Sequence, residues 1–199
     1  MAKTRAERHE NQQQRIIETA ARLFADRTFT RTSIAELARA CGFSKPLLYH
    51  YFDSKEDVLY RMLQAHMRDL RAALVSAHDS ADDAEGRFRA FVSASLSVYT
   101  AVPEKHVVLM HDLDCLPEPQ RAEIVTAERE LVELVADMLA ALRPELTTDR
   151  RLRKPYAMMF YGLLNWTYIW YDPDGPVPPA EFAQRACDTF LHGFLPTTA

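Results

Sequence analysis

Three stretches of this sequence carry side chains whose types and spacing suit chemistry. The first is Thr32-Ser33, then Ser44 to His50, with Lys55 close behind. Ser44 can cap a helix whose first turn holds Lys45, Pro46 and Leu47. A capped helix end that offers a cation beside small apolar groups matches the donor, acceptor and methyl pattern of base edges in a DNA major groove. Tyr49, His50 and Lys55 add hydroxyl, imidazole and ammonium groups suited to phosphate oxygens. Thr32 and Ser33 stand at the head of the preceding helix, where backbone N–H groups point outward.

The second stretch holds His106, His111 and Cys115, with Asp112 and Asp114 between them. The residue types are metal ligands, but the spacing matches no usual zinc pattern and paired Cys or His signatures are missing, so no metal is expected. The third is a surplus of aromatic and Met side chains over residues 88–171. Phe91, Tyr99, Met110, Met158, Tyr161 and Trp166 could wall an apolar slot, or pack a core or subunit interface. Asn165 among them needs polar partners if buried. Either a backbone carbonyl at a bend or a ligand carbonyl would serve. Neither a Gly-x-Ser-x-Gly elbow, a Gly-rich phosphate loop nor a His-Glu-x-x-His pair is present, and the sequence predicts no enzyme and no cofactor.

The elements that must position these groups read as helices throughout. Apolar residues recur at helical spacing, alternating strand patterns are absent, and there are only five glycines. The expected fold is all-α with about nine helices. A first helix over about 10–26 buries Ile16, Ile17, Ala20, Leu23 and Phe24. Ser33-x-x-Glu36 has capping-box spacing for a second helix, which Cys41-Gly42 ends, with Gly42 free to take positive φ. Ser44 then caps the third, with Pro46 in its first turn. A long fourth helix spans about 55–78, a fifth ends at Val102-Pro103, and another runs over about 118–142. Residues 152–171 are apolar almost all round, which predicts burial on every side. Phe182, Phe190 and Phe194 give the last helix, about 179–194, an apolar face.

Charge is divided along the chain. Residues 1–55 carry ten Lys and Arg against six acids, a net of +4, and the total of −4 leaves −8 for the remainder. A basic end on an acidic body is the layout of a protein that turns one face to phosphates. No apolar run reaches the roughly 18 residues that cross a bilayer. The polar opening MAKTRAERHENQQQR lacks the apolar core of a secretory signal, and three well-separated cysteines suit a reducing cytoplasm.

Residues Thr32 to Leu59 closely resemble the TetR-family signature, which ends in an aromatic-rich Leu-Tyr-x-Tyr-Phe-x-Ser-Lys-Glu stretch. Leu48, Tyr49, Tyr51, Phe52, Ser54, Lys55, Glu56 and Leu59 stand at its positions. The resemblance implies a helix-turn-helix DNA-binding domain over 1–55 and a ligand-binding and dimerisation domain over 56–199. It also implies a homodimer on palindromic double-stranded DNA, released by a small-molecule effector. Leu113 to Val125 and Phe160 to Gly175 look like a subgroup of that family that senses acyl-CoA thioesters, phenylacetyl-CoA being the first candidate. Arg68, Arg71, Arg87, Arg89 and Lys105 are then candidates for the CoA phosphates. Two alternatives stay open: a repressor of efflux or stress genes with another hydrophobic inducer, and a helical interaction module that no longer binds DNA.

Overall fold

The computed structural model describes residues 5–194, the side chains at 5, 146, 147 and 194 excepted. Among the described residues there is no strand, and nine helices of five residues or more are joined by two four-residue turns. The helices are α1 (Arg5–Arg27), α2 (Ile34–Ala40), α3 (Lys45–Tyr49), α4 (Lys55–Asp79), α5 (Ala84–Ala101), α6 (Pro103–Asp112), α7 (Gln120–Leu142), α9 (Arg153–Asn165) and α11 (Pro179–Phe194). The two turns are α8 (Glu145–Thr148) and α10 (Thr167–Trp170). None of the described helices is long and apolar enough to cross a membrane.

The chain forms two compact units. One comprises residues up to Met67 together with Glu104–Val125; the other comprises Arg68–Pro103 and the residues from Thr126 on. α6 and the head of α7 thus belong with the N-terminal helices, although they lie far beyond residue 55.

In the first unit, α1 starts earlier than its apolar stripe. Ile16, Ile17, Ala20 and Phe24 are buried, while Leu23 is only half-covered. The turns that follow are specified by local hydrogen bonding. Ser33 Oγ accepts from Glu36 N–H (3.2 Å) while Glu36 Oε2 accepts from Ser33 N–H (2.8 Å), closing the capping box. α2 ends in a Schellman motif: Phe43 N–H donates to Ala38 O (2.8 Å) and Gly42 N–H to Arg39 O (3.0 Å), with Gly42 at φ +72°. Ser44 Oγ accepts from Leu47 N–H (3.4 Å), and Pro46 lies in the first turn of α3. Leu37, Leu48, Phe52, Leu59 and Met62 complete this core.

The second unit packs α5 against α11, with α9 beside them. Phe88, Phe160 and Phe190 form a triangle of rings with centroids 5.1, 5.8 and 5.6 Å apart. Such offset and edge-on contacts add to the burial of the rings. Residues 152–171 depart from the expected pattern in two ways. The helix breaks at Trp166, giving α9 and α10. It is also not buried on every side: Ala157, Phe160, Tyr161 and Leu164 face the core, while Met158, Met159, Trp166, Ile169 and Trp170 lie open, Met159 being 63% exposed. Trp170 keeps one neighbour, meeting Phe182 of α11 edge-on with ring centroids 5.5 Å apart. In α11, Phe182 and Phe190 are half-covered; the Phe194 side chain lies outside the described residues.

Candidate nucleic-acid interface

α3 has five residues, and only one is spent on the core. Leu48 is fully buried, whereas Lys45, Pro46, Leu47 and Tyr49 point outward, Leu47 being 40% and Tyr49 49% exposed. A helix with two caps of its own and four outward side chains contributes little to stability for its length. It presents a cation, a proline, an aliphatic group and a phenol on one short rod. Ser33 and Ser44 are exposed at the caps, and His50 is exposed as the last residue of the α3 turn.

Sequence reasoning missed how the head of α1 joins this surface. Gln13 Nε2 donates to Tyr51 O at 3.2 Å. The His9 ring lies 4.8 Å from Tyr51 and edge-on to His50 at 5.9 Å, and Phe43 stacks on Tyr51 at 6.0 Å. The signal was present: His9 and Gln13 continue the Ile16–Ala20–Phe24 stripe backwards at helical spacing. Their polarity hid it.

Two residues expected at the DNA surface, Thr32 and Lys55, make bonds within the chain. Thr32 is 2% exposed, and its hydroxyl donates to Thr28 O at 3.0 Å. Lys55 Nζ donates to Phe29 O at 2.8 Å and to Thr32 O at 2.9 Å, and lies 3.8 Å from the centre of the Phe29 ring. An ammonium with two carbonyl acceptors and an aromatic face is already well solvated by protein. Here Lys55 braces the α1–α2 turn.

The expected ligand residues divide. Phe91 and Tyr161 are buried in the second unit, with Phe160 between their rings. The Tyr161 hydroxyl donates to Leu131 O at 3.2 Å. The buried Tyr99 hydroxyl donates to Asn165 Oδ1 at 3.0 Å. Burial pushes both phenols up, with the Glu128 carboxylate acting in the same direction. Asn165 thus bonds a side chain rather than a backbone carbonyl of the bend. Met158 and Trp166 are exposed, 50% and 59%, and stand outside this buried group. Met110 is half-covered on α6, in the first unit.

The His106–Cys115 stretch holds no metal-ligand constellation. Among the described residues no group of three or more His, Cys, Asp and Glu is disposed to hold an ion. Asp112 accepts from Phe29 N–H at 3.0 Å. Burial, with the neighbouring His66, holds the His106 ring down at about 3. Of the candidate phosphate cations for CoA, Arg68 pairs with Asp69, Arg71 with Glu130, and Arg89 with both Glu85 and Asp188. Arg87 donates to Ala81 O at 3.0 Å.

With this geometry in hand, comparison with known proteins is consistent along the chain. Residues 16–62 match the family description "Bacterial regulatory proteins, tetR family", and residues 81–194 match "Tetracyclin repressor-like, C-terminal domain". The crystal structure of a TetR-family transcriptional regulator from Bordetella parapertussis 12822 superposes with a TM-score of 0.90 at 41% identity, over 96% of this chain and 99% of that one. The HTH-type transcriptional repressor KstR2 of Mycolicibacterium smegmatis is 27% identical over 192 residues, 89% of this chain and 88% of its own. The fold is also that of AibR, solved in complex with isovaleryl coenzyme A and operator DNA (TM-score 0.78, 24% identity, 89% of this chain and 97% of that one).

Proposed function

Because the chain belongs to the TetR family of DNA-binding, ligand-responsive transcriptional regulators, we propose that it represses as a homodimer on a palindromic operator and is released by an acyl-CoA thioester. The observation that carries the DNA reading is α3, with Leu48 alone in the core and Lys45, Pro46, Leu47 and Tyr49 turned out. In this reading Lys45 and Leu47 meet base edges, while Ser33, Ser44, Tyr49 and His50 hold phosphates. Two copies must set their α3 helices about one DNA turn, roughly 34 Å, apart to enter successive major grooves. The exposed apolar face of α9 and α10 is the surface that pairing would cover. The protein then works in the cytoplasm, where the operator lies.

The effector reading rests on the buried rings of Phe91, Tyr99 and Tyr161 and on the half-covered Asn165 beside them. With Asn165 Oδ1 engaged by Tyr99, the amide N–H groups are left as donors for a carbonyl such as that of a thioester. AibR, which shares the fold, is bound to isovaleryl coenzyme A. Phenylacetyl-CoA is the first candidate here, since aromatic walls suit an aromatic acyl group. A second reading has its own support: Arg68, Arg71 and Arg89 are already paired with carboxylates, which leaves them poor hosts for CoA phosphates. An uncharged hydrophobic inducer avoids that difficulty. Either ligand acts only through a preference for the released state.

The test has two steps. Fluorescence anisotropy with a duplex enriched from random sequence should give saturable, salt-dependent binding to a palindrome. Calorimetry with phenylacetyl-CoA, a medium-chain acyl-CoA, free CoA and phenylacetate then separates the two effector readings. Binding of phenylacetate alone, or of no thioester, removes the acyl-CoA reading and leaves the repressor reading standing.

A further inference from the structure

The turn between α1 and α2 is gripped by two charged side chains carried by α4 and α6. Phe29 N–H donates to Asp112 Oδ2 at 3.0 Å, a bond that spans 83 positions of sequence. The carbonyl of the same residue accepts from Lys55 Nζ at 2.8 Å, and that ammonium also holds Thr32 O at 2.9 Å. Both backbone groups of one residue are thus claimed by ionisable side chains, one from the last position of α6 and one from the first of α4.

This arrangement is costly if stability alone is at issue. Asp112 is 4% exposed, and a buried carboxylate is unfavourable unless its partners offset the lost hydration. An apolar side chain would fill the same place without that penalty. What a carboxylate adds is direction, since it fixes one donor at one distance. The neighbouring backbone carries a second, independent sign. Thr28 sits at φ +70°, the left-handed region that a β-branched residue rarely adopts. Such a conformation persists only where the surroundings over-determine it.

We infer that Asp112 is a positioning residue for DNA binding: with Lys55 it clasps the Phe29 peptide and so fixes the placement of α2, against which α3 packs. The path is short. Thr32 N–H donates to Phe29 O (3.2 Å), the Thr32 hydroxyl donates to Thr28 O, and the next residue is Ser33, the cap of α2. α2 in turn contacts α3. Presentation of α3 to DNA therefore depends on a side chain carried by α6. The inference rests on the DNA-binding reading above.

The experiment uses the full chain and a duplex enriched from random sequence against the wild type. Asp112→Ala should weaken binding to that duplex by roughly tenfold, the effect of losing a hydrogen bond to a charged group. Helicity by circular dichroism should stay unchanged. Asp112→Asn keeps an oxygen for Phe29 N–H and should bind within about threefold of wild type. Hydrogen exchange at the Phe29 amide should quicken in Asp112→Ala and stay slow in Asp112→Asn. Lys55→Met removes the opposite grip and keeps the readout available if Asp112→Ala does not fold. It should weaken binding with the salt slope unchanged, whereas loss of a phosphate ligand would lower that slope by about one. Asp112→Ala binding within about twofold of wild type, Asp112→Asn as weak as Asp112→Ala, or a lowered salt slope in Lys55→Met would each overturn the clasp. A wild-type chain that enriches no duplex takes the DNA reading down first, and the clasp with it.

Discussion

The Tyr99 hydroxyl reaches across 3.0 Å to the side-chain oxygen of Asn165, joining α5 to the last residue of α9. That bond fixes which end of the amide is spent and which remains a donor. Tyr99→Phe releases the amide and should weaken phenylacetyl-CoA binding about fivefold, the worth of one neutral hydrogen bond. Affinity for the enriched duplex should not change. Calorimetry with and without the substitution checks this, and equal affinities would show that Asn165 does not meet the ligand.

The outward side chains of α3 should separate into two kinds. Lys45→Ala and Leu47→Ala are expected to change which bases are preferred, at about 1–3 kcal/mol for a good contact. Tyr49→Phe and His50→Ala should weaken all duplexes alike. Binding of each variant to single-base substitutions of the enriched duplex reads the difference directly. A uniform loss in Lys45→Ala would move it to the backbone contacts.

His106 makes stability depend on pH. Its ring is buried and held at about 3, with burial the main cause and His66 the lesser, whereas an unfolded chain takes up a proton near 6.5. Between those values the unfolded state binds the proton and the folded state does not. Stability is therefore full above about pH 6.5 and is lost as pH falls, by up to about 1.4 kcal/mol per unit. Urea unfolding at about pH 7 and about pH 5 should differ by ~2 kcal/mol from this group, and His106→Gln should flatten the difference. An undiminished difference in the variant would assign the loss to other groups.

What the sequence made legible was local. Ser33 and Glu36 are three residues apart, Gly42 comes just after the Cys41 cap of its helix, and Ser44 precedes Pro46 by two, so each motif contains its own partners. The bonds of Lys55 and Thr32 within the chain were not legible, because their acceptors, the carbonyls of Phe29 and Thr28, carry no side-chain signal. Asp112 was unreadable for a different reason, since its partner is a backbone N–H 83 positions away. The all-round apolar pattern of 152–171 was legible as composition. It did not say whether its cover comes from the same chain.

Two local motifs give a direct check on that reading. Nothing lies within 4 Å of a methyl built on Gly42, so Gly42→Ala meets no neighbour and suffers only its φ of +72°. The expected cost is about 1–2 kcal/mol. Ser33→Ala opens the capping box at about 1 kcal/mol. Thermal unfolding of the two single variants measures both, and an unchanged midpoint for Gly42→Ala would mean that the turn rearranges.

Pairing through α9 and α10 predicts that Trp166→Glu with Ile169→Glu weakens the dimer by on the order of a hundredfold, the scale of a central interface residue lost. Sedimentation should show the wild type as a dimer at micromolar concentration and the double variant shifted toward monomer. A wild-type monomer would sink the proposal.

The same open face, Met158, Met159, Trp166, Ile169 and Trp170, has a consequence for gene dosage. On the homodimer reading proposed above, a single copy offers one α3 to an operator that needs two. While copies are scarce, pairs form in proportion to the square of their number, so doubling expression quadruples the species able to hold the site. Repression then sets in over a narrow range of protein abundance rather than in proportion to it. A low-expressing cell would leave its target genes almost unrestrained, and a modest rise in synthesis would close them.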